Sequence, residues 1–340
     1  MGRLIRGLAA EGKLRVLAAE TTDIAEEARV RHGLSSTPTA ALGRAMTGGL
    51  LLSFLLSKTP KERVGLRFTG DGPLGGPVVE AAPDGLVRGY VKSPGVELPL
   101  RADGKLNVGA AVGRGELKVA RALSNGEIYQ SATELVSGEI AEDLAHYLLQ
   151  SEQAPSAVLL GVRVHGEGQV QVAGGAVIQL MPGAPDSVVK GLEANLQNAP
   201  SMTKLMLHQG LDQSVQWLLR GLEYQATDLS AIGFKNGHVP LRFGCRCSRE
   251  RALAALVYFD RHEREEMITK DGGAEVVCHW CGEKYQLPPE DIRSLGFSEV
   301  RCPDCGTMWE YLREDGTVVA FEGDTCRCGR RVELPALPKA

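Results

Sequence analysis

The chain carries eight cysteines, all from residue 245 onward, in four close pairs: Cys245-x-Cys247, Cys278-x-x-Cys281, Cys302-x-x-Cys305 and Cys326-x-Cys328. Two close pairs joined by a loop supply four sulfurs, the donor set a tetrahedral zinc ion takes in a closed site. The spacing therefore predicts two zinc ions per chain, one at Cys245, Cys247, Cys278 and Cys281 and a second at Cys302, Cys305, Cys326 and Cys328. CxxC is a strong signal for such a site; CxC is rarer, because it demands a tighter backbone bend. Two other readings compete with metal binding: disulfides in a secreted protein, and buried unliganded thiols.

Compartment bears on that choice. The opening segment MGRLIRGLAAEGKLRVLAAE interrupts every apolar run with Arg, Glu or Lys, so no signal peptide is read there. The longest apolar stretch, Ala45 to Leu56, is shorter than a bilayer span and contains Gly48, Gly49 and Ser53, which predicts a buried helix and no membrane anchor. A reducing, cytoplasmic setting is expected, where paired thiols are metal ligands, redox sensors or both. Zinc-bound cysteines are thiolates, nucleophilic towards oxidants, and losing any ligand lowers metal affinity steeply. Each zinc site is thus also a latent oxidation trigger. Phe243 to Gln286 is too short to bury a self-sufficient core, so its fold is expected to depend on the metal.

The elements that must position these thiols follow from periodicity and turn residues. At 340 residues and 43% hydrophobic content, the chain can bury a substantial core in two or three domains. After a short leading strand, TTDIAEEARVRHG reads as a helix stopped at Gly33, and TPTAALGRAMTGGLLLSFLLSK as a second, more buried one. From Val64 to about Thr133, short alternating runs separated by Gly, Pro, Asp and Asn predict hairpins. A helix near 138–151 and further strands complete residues 1–183, expected to be an α+β domain around a largely antiparallel sheet. Residues 184–240 read as a helical linker whose apolar positions are broken by Gln, Asn, Gly and Lys, leaving it dependent on its neighbours. Residues 241–287 form the first cysteine domain, with two short helices and a knuckle hairpin. Residues 288–340 form an extension of one short helix and three strands, zinc-ribbon-like, bearing the second cluster.

Several other patterns have structural explanations. Gly70-x-Gly72-x-x-Gly75 matches a dinucleotide fingerprint, but a strand follows it where phosphate binding needs a helix N-terminus, so a glycine-rich hairpin is expected. No G-x-x-x-x-G-K-[ST] loop is present to drive ATP-dependent work. His279 lies between two ligands, yet four sulfurs already complete the shell. The carboxylates of Glu263 to Glu266 are most simply a solvated helix face. The region from Leu241 onward has 15 Lys and Arg against 18 Asp and Glu, a net charge of −3, which argues against a nucleic-acid module.

Against this background the chain resembles the bacterial redox-regulated heat-shock chaperones, the thirty-three-kilodalton chaperonin family. The resemblance runs from about Gly12 to Gln286 through EGKLRVLAAETTDI, GDGPLGG, GLVRGYV, VGRGELKV, SGEIAEDLAHYLLQSEQ with PSAVLLGV, AGGAVIQLMPGA, FGCRCSRERALAAL and KDGGAEVVCHWCGEKYQ. It implies an ATP-independent holdase, a binding protein and no enzyme, inactive while reduced and zinc-bound. It further implies that oxidation forms Cys245–Cys247 and Cys278–Cys281 disulfides, releases zinc, unfolds the zinc domain and destabilises the linker, exposing apolar surface to unfolding clients. The oxidised form is expected to tend towards a homodimer, with no nucleic-acid or membrane partner. Beyond Gln286 the chain departs from the family pattern, and the second cluster there is open to a structural, redox or partner-binding role. Two rival functions remain: a thiol-disulfide oxidoreductase, which needs a thiolate at a helix N-terminus in a βαβ setting, and a zinc-ribbon RNA-binding or regulatory protein.

Overall fold

The computed structural model describes residues 2–166, 168–227 and 239–295, together with the strand backbones at 297–301, 308–314 and 317–319. Two compact units divide the chain, Met1–Cys245 and Arg246–Ala340. The first twenty residues, expected as one strand, form a hairpin of β1 (Arg3–Ala9) and β2 (Leu14–Glu20). Its turn passes through left-handed backbone at Ala10, Glu11 and Gly12 (φ 48, 53 and 82°). Next come α1 (Thr22–His32) and α2 (Ser36–Leu56). Gly33 ends α1 in the left-handed conformation, its N–H returning to the last-turn carbonyls of Arg29 and Val30.

The hairpin region gives β3 (Arg63–Gly70), β4 (Pro77–Ala81), β5 (Leu86–Val91), α3 (Val108–Val112), β6 (Gly115–Ala122) and β7 (Ile128–Glu134). There follow α4 (Ala141–Gln150), β8 (Ser156–Val164), β9 (Val170–Leu180), α5 (Asp186–Gln197), α6 (Met202–Leu218), β10 (Gln225–Ala226) and β11 (Arg242–Phe243). The α+β class holds, but the strands make two sheets where one was expected. The first is antiparallel, in the order β10-β1-β2-β9-β8; the second runs β11-β5-β4-β3-β6-β7, antiparallel except for the β11–β5 pair.

The physical reason for two sheets is α2. Leu50, Leu51 and Leu52 are all fully buried, so the helix is apolar around its whole circumference and needs cover on more than one side. Strands β2, β8 and β9 of one sheet and β3, β4 and β5 of the other provide it. Length and composition alone would let Ser36–Leu56 cross a membrane, but 83% of its apolar window is buried inside this fold. The expectation of a core helix stands.

The segment expected as a helical linker dependent on its neighbours forms α5 and α6. α6 packs on the first sheet and α5 on α6, and Leu211, Val215 and Leu218 join Leu14, Val16, Ala18 and Ile178 in one apolar cluster. α6 is interrupted at Gly210 (φ 74, ψ −180°). The segment 228–238 lies outside the described residues.

The second unit has α7 (Arg249–Ala255), a 3-10 turn at Leu256–Tyr258, α8 (Arg261–Thr269), a hairpin of β12 (Ala274–Val277) and β13 (Lys284–Leu287), and α9 (Pro289–Ser294). Beyond α9, β14 (Phe297–Arg301), β15 (Met308–Glu314) and β16 (Thr317–Val319) form a three-stranded meander. Among the described residues of this unit, the apolar core is small: Leu256, Ile268, Leu287 and Ile292. Of the supposed solvated carboxylates, Glu263 has a structural task, reciprocally capping α8 with Asp260.

Candidate metal centre

Cys245 follows β11 by one residue, beyond Gly244. The register of β11 on β5, Arg242 with Leu86 and Phe243 with Val87, sets Arg88 beside it. Arg88 Nη1 donates to Cys245 Sγ at 3.3 Å. The guanidinium is itself held by Glu80 of β4, at 2.9 Å from Nη2 and 3.1 Å from Nε. Burial pulls the Arg88 pKa down, but the hydrogen bonds and charges of Cys245 and Glu80 together outweigh it and leave the pKa raised.

Cys247 precedes the Ser248 cap of α7, whose side chain accepts the Arg251 N–H. Its sulfur accepts a hydrogen bond from the Tyr285 hydroxyl at 3.1 Å and lies 3.4 Å from Cys281 Sγ. That bond to Cys247 is the largest cause, with desolvation second, of a Tyr285 pKa raised above its ordinary value. Cys278 and Cys281 sit on the β12–β13 turn. The Cys278 N–H donates to Glu283 O at 2.9 Å, while the Cys281 and Gly282 N–H groups return to Cys278 O at 3.3 and 2.8 Å. Gly282 closes this knuckle in left-handed backbone (φ 71°).

The four sulfurs so positioned, Cys245, Cys247, Cys278 and Cys281, all lie within 4.8 Å of one another, and none is joined in a disulfide. A tetrahedron of sulfurs at the usual zinc–sulfur length of ~2.3 Å has edges of ~3.8 Å, so the donor set fits zinc in number, softness and spacing. His279 is not part of the group. Cys302, Cys305, Cys326 and Cys328 lie outside the described residues.

Arg88 and Tyr285 are the functional residues that sequence reasoning missed. Tyr285 is only four positions past Cys281, and its place on a hairpin strand leading out of the knuckle was a usable signal. Arg88 had none, since 157 residues separate it from Cys245. The fingerprint glycines serve packing: Gly70 ends β3, β4 follows, and a Cβ at Gly70 would stand 1.9 Å from Val112 O on α3.

An α+β core joined to a small unit that closes a four-thiolate zinc-type centre is the class of protein these features define. Residues 2–288 match the family described as "Hsp33 protein". The 33 kDa chaperonin of Thermus thermophilus is 65% identical over 336 residues, covering 99% of this chain and 98% of its own length. That of Deinococcus radiodurans is 48% identical over 301 residues, 88% of this chain and 99% of its own. The crystal structure of the 33 kDa chaperonin from Thermotoga maritima superposes with a TM-score of 0.78 at 36% identity, covering 86% of this chain and 96% of that one. The chain belongs to the Hsp33 family. The Thermus match spans nearly its full length, so most of the C-terminal extension has a counterpart in that relative.

Proposed function

We propose that this protein is a redox-regulated, ATP-independent chaperone of the cytoplasm, a holdase that binds unfolding proteins and keeps them from aggregating without turning them over. The observation that carries this reading is the gathering of four cysteine sulfurs within 4.8 Å, in a family whose named members are chaperonins. Cys245, Cys247, Cys278 and Cys281 would hold zinc in the reduced, inactive state, and the metal would supply the cross-link that the small apolar cluster among the described residues lacks. Cys302, Cys305, Cys326 and Cys328 would hold a second zinc ion.

Activation is assigned to disulfides Cys245–Cys247 and Cys278–Cys281. For each pair, one thiolate attacks a peroxide oxygen, breaking the O–O bond and giving a sulfenic acid and hydroxide. The second thiolate then displaces the sulfenic oxygen as a second hydroxide, forming the S–S bond; two electrons per disulfide pass to one peroxide, and solvent supplies the two protons that turn the hydroxides into water. Sulfurs spent in this way no longer serve as ligands, so the metal is lost and the second unit loosens. Residues 184–240, built on a cluster shared with the first sheet, would then open as the linker between the core at 1–183 and the switch at 241–287, with 288–340 as a structural extension. The oxidised form is assigned a tendency to dimerise, and neither nucleic acid nor membrane is assigned as a partner.

Two observations weigh against the rivals. The CxxC pair occupies a hairpin turn between β12 and β13, whereas an oxidoreductase thiolate is activated at a helix N-terminus. The acidic balance from Leu241 onward disfavours a nucleic-acid module. The test measures zinc content and suppression of client aggregation on one sample, before and after peroxide under mild heat. Suppression that appears with zinc loss, needs no ATP and reverses with reductant is expected; equal activity in both states sinks the switch.

A further inference from the structure

Away from the cysteines, a depression of about 430 Å³ opens at the end of the second sheet where β3 finishes, β6 begins and β7 finishes. The β3–β4 turn, the chain between α3 and β6, and the segment after β7 meet there. Asp71, Gly113, Arg114, Leu135, Val136 and Ser137 line it.

The backbone around this depression is firmly held. Asp71 N–H donates to Arg114 O at 2.9 Å, and Asp71 Oδ1 accepts the Arg114 N–H at 2.7 Å, a two-way clamp between the turn and the chain entering β6. Gly113 (φ +80°) lets the carboxylate come close, since a Cβ there would stand 2.2 Å from Asp71 Oδ1. On the opposite wall, the buried Asp143 accepts the Val136 and Ser137 N–H groups at 2.8 and 3.1 Å. The cavity is therefore preformed, and its size falls in the ordinary range of small-molecule sites, roughly 300–1,000 Å³.

The reactive ends of its side chains are not used by that scaffold. Among the described residues, neither Asp71 Oδ2 nor the exposed Arg114 guanidinium has an ion-pair or hydrogen-bond partner, and the two do not close on each other. Ser137 Oγ accepts the Glu139 N–H at 3.3 Å, which leaves the hydroxyl hydrogen to donate. Leu135 and Val136 add an apolar wall, with Val136 60% exposed. A simple anion drawn to Arg114 would meet Asp71, and a simple cation drawn to Asp71 would meet Arg114. A molecule with both charges suits both.

We infer that this depression binds a small zwitterion of the amino-acid class, with its carboxylate on Arg114, its ammonium on Asp71 Oδ2 and an aliphatic side chain against Leu135 and Val136. The planar guanidinium can take both carboxylate oxygens, and the Ser137 hydroxyl is a further donor. This inference stands apart from the holdase reading, which assigns no small molecule. The end of a polypeptide offers one of the two charges and a free amino acid offers both, so blocked derivatives distinguish the two sources.

The experiment titrates the full reduced chain with L-leucine and follows backbone amide shifts by NMR. Saturable shifts at Gly113, Arg114 and Ser137 are expected. N-acetyl-leucine and leucine amide, each lacking one charge, are expected to bind about 10- to 100-fold more weakly, the worth of one charge-assisted contact. Arg114→Gln and Asp71→Asn are expected to weaken leucine by a similar factor at an unchanged melting temperature; the second keeps an oxygen for the Arg114 N–H. Should Asp71→Asn fail to fold, Arg114→Gln decides alone, because its side chain is exposed. The assignment is overturned if these amides show no saturable shift up to the solubility limit of leucine, if the blocked derivatives bind as well as leucine, or if Arg114→Gln binds it unchanged.

Discussion

At the scale of single residues, Arg88 stands out because it touches the metal centre without being a ligand. When Cys245 is metal-bound it is already a thiolate, so the hydrogen bond from Arg88 adds no further ionisation. What it does is draw electron density from the sulfur and fix its orientation, the role of an outer-shell partner. Arg88→Met should therefore lower zinc affinity by about 10- to 100-fold, read by competition with a colorimetric chelator, and should speed zinc release by peroxide; unchanged values on both would dismiss the contact. Asp143 offers a stability test away from the centre. Its buried carboxylate accepts the N–H groups of Val136, Ser137, Gly138 and Ile140 at 2.8–3.3 Å. Asp143→Ala orphans all four, and a loss of roughly 2–4 kcal/mol in urea unfolding is expected, on a scale of about 1–3 kcal/mol per buried unsatisfied group partly rescued by water. The four cysteines that converge, Cys245, Cys247, Cys278 and Cys281, were legible as a group in the sequence because metal sites use local spacing, CxC and CxxC. Arg88 was not, because only the pairing of β11 with β5 brings it to Cys245.

Among the elements, hairpins and amphipathic helices were legible and sheet membership was not. Turn residues mark where β3, β4, β5, β6 and β7 begin and end, but nothing local says that β9 pairs with β2 and not with β7. That partition follows from α2, a helix apolar on every side, whose burial takes two sheets. The hairpin of β1 and β2 was also missed, because AAEGK turns through positive φ at Ala10 and Glu11, residues that give little turn signal. The glycine fingerprint illustrates the opposite case, a pattern whose packing role could be inferred by asking what element follows. Gly70→Ala should destabilise the first unit by about 1–3 kcal/mol, because the added methyl meets the main-chain oxygen of Val112 and backbone must shift. Denaturant midpoints check this, and a midpoint unchanged within error would mean that α3 yields more easily than its contacts imply.

For the whole molecule, the two units differ in what holds them. The first has an extensive apolar core; the second, among its described residues, has a small apolar cluster of Leu256, Ile268, Leu287 and Ile292 and three of the four grouped thiols, Cys247, Cys278 and Cys281. Chelation of the reduced protein is expected to abolish the thermal transition of the second unit and leave that of the first, seen by calorimetry as the loss of one of two steps; a single unchanged transition would show that metal does not hold the second unit. The two cysteine clusters are expected to be unequal, because Cys245 follows closely on the linker and the tail cysteines do not. Cys278 and Cys281 changed together to Ser should open new protease cuts between Pro185 and Pro240 under reducing conditions. The same change at Cys302 and Cys305 should leave that stretch protected, and equal exposure in the two variants would refute the hierarchy. That expectation rests on position in the sequence, not on spacing, which is nearly the same in both clusters.

The complete enclosure of α2 has a consequence for biosynthesis. Its apolar surface is covered in part by β8 and β9, and 124 residues separate Leu56 from the end of β9 at Leu180. At about 5–20 residues per second the ribosome takes roughly 6–25 s to cover that distance, during which a helix apolar enough for a bilayer has emerged without its cover. The chaperone is thus itself a vulnerable nascent chain, and its core, once lost, is slow to rebuild because its contacts are so distant in sequence. Among the described residues, the buried core of the second unit falls between Leu256 and Ile292. On the proposed redox cycle, a protein that opens and closes under stress would gain by confining the change to that unit and leaving the buried helix undisturbed.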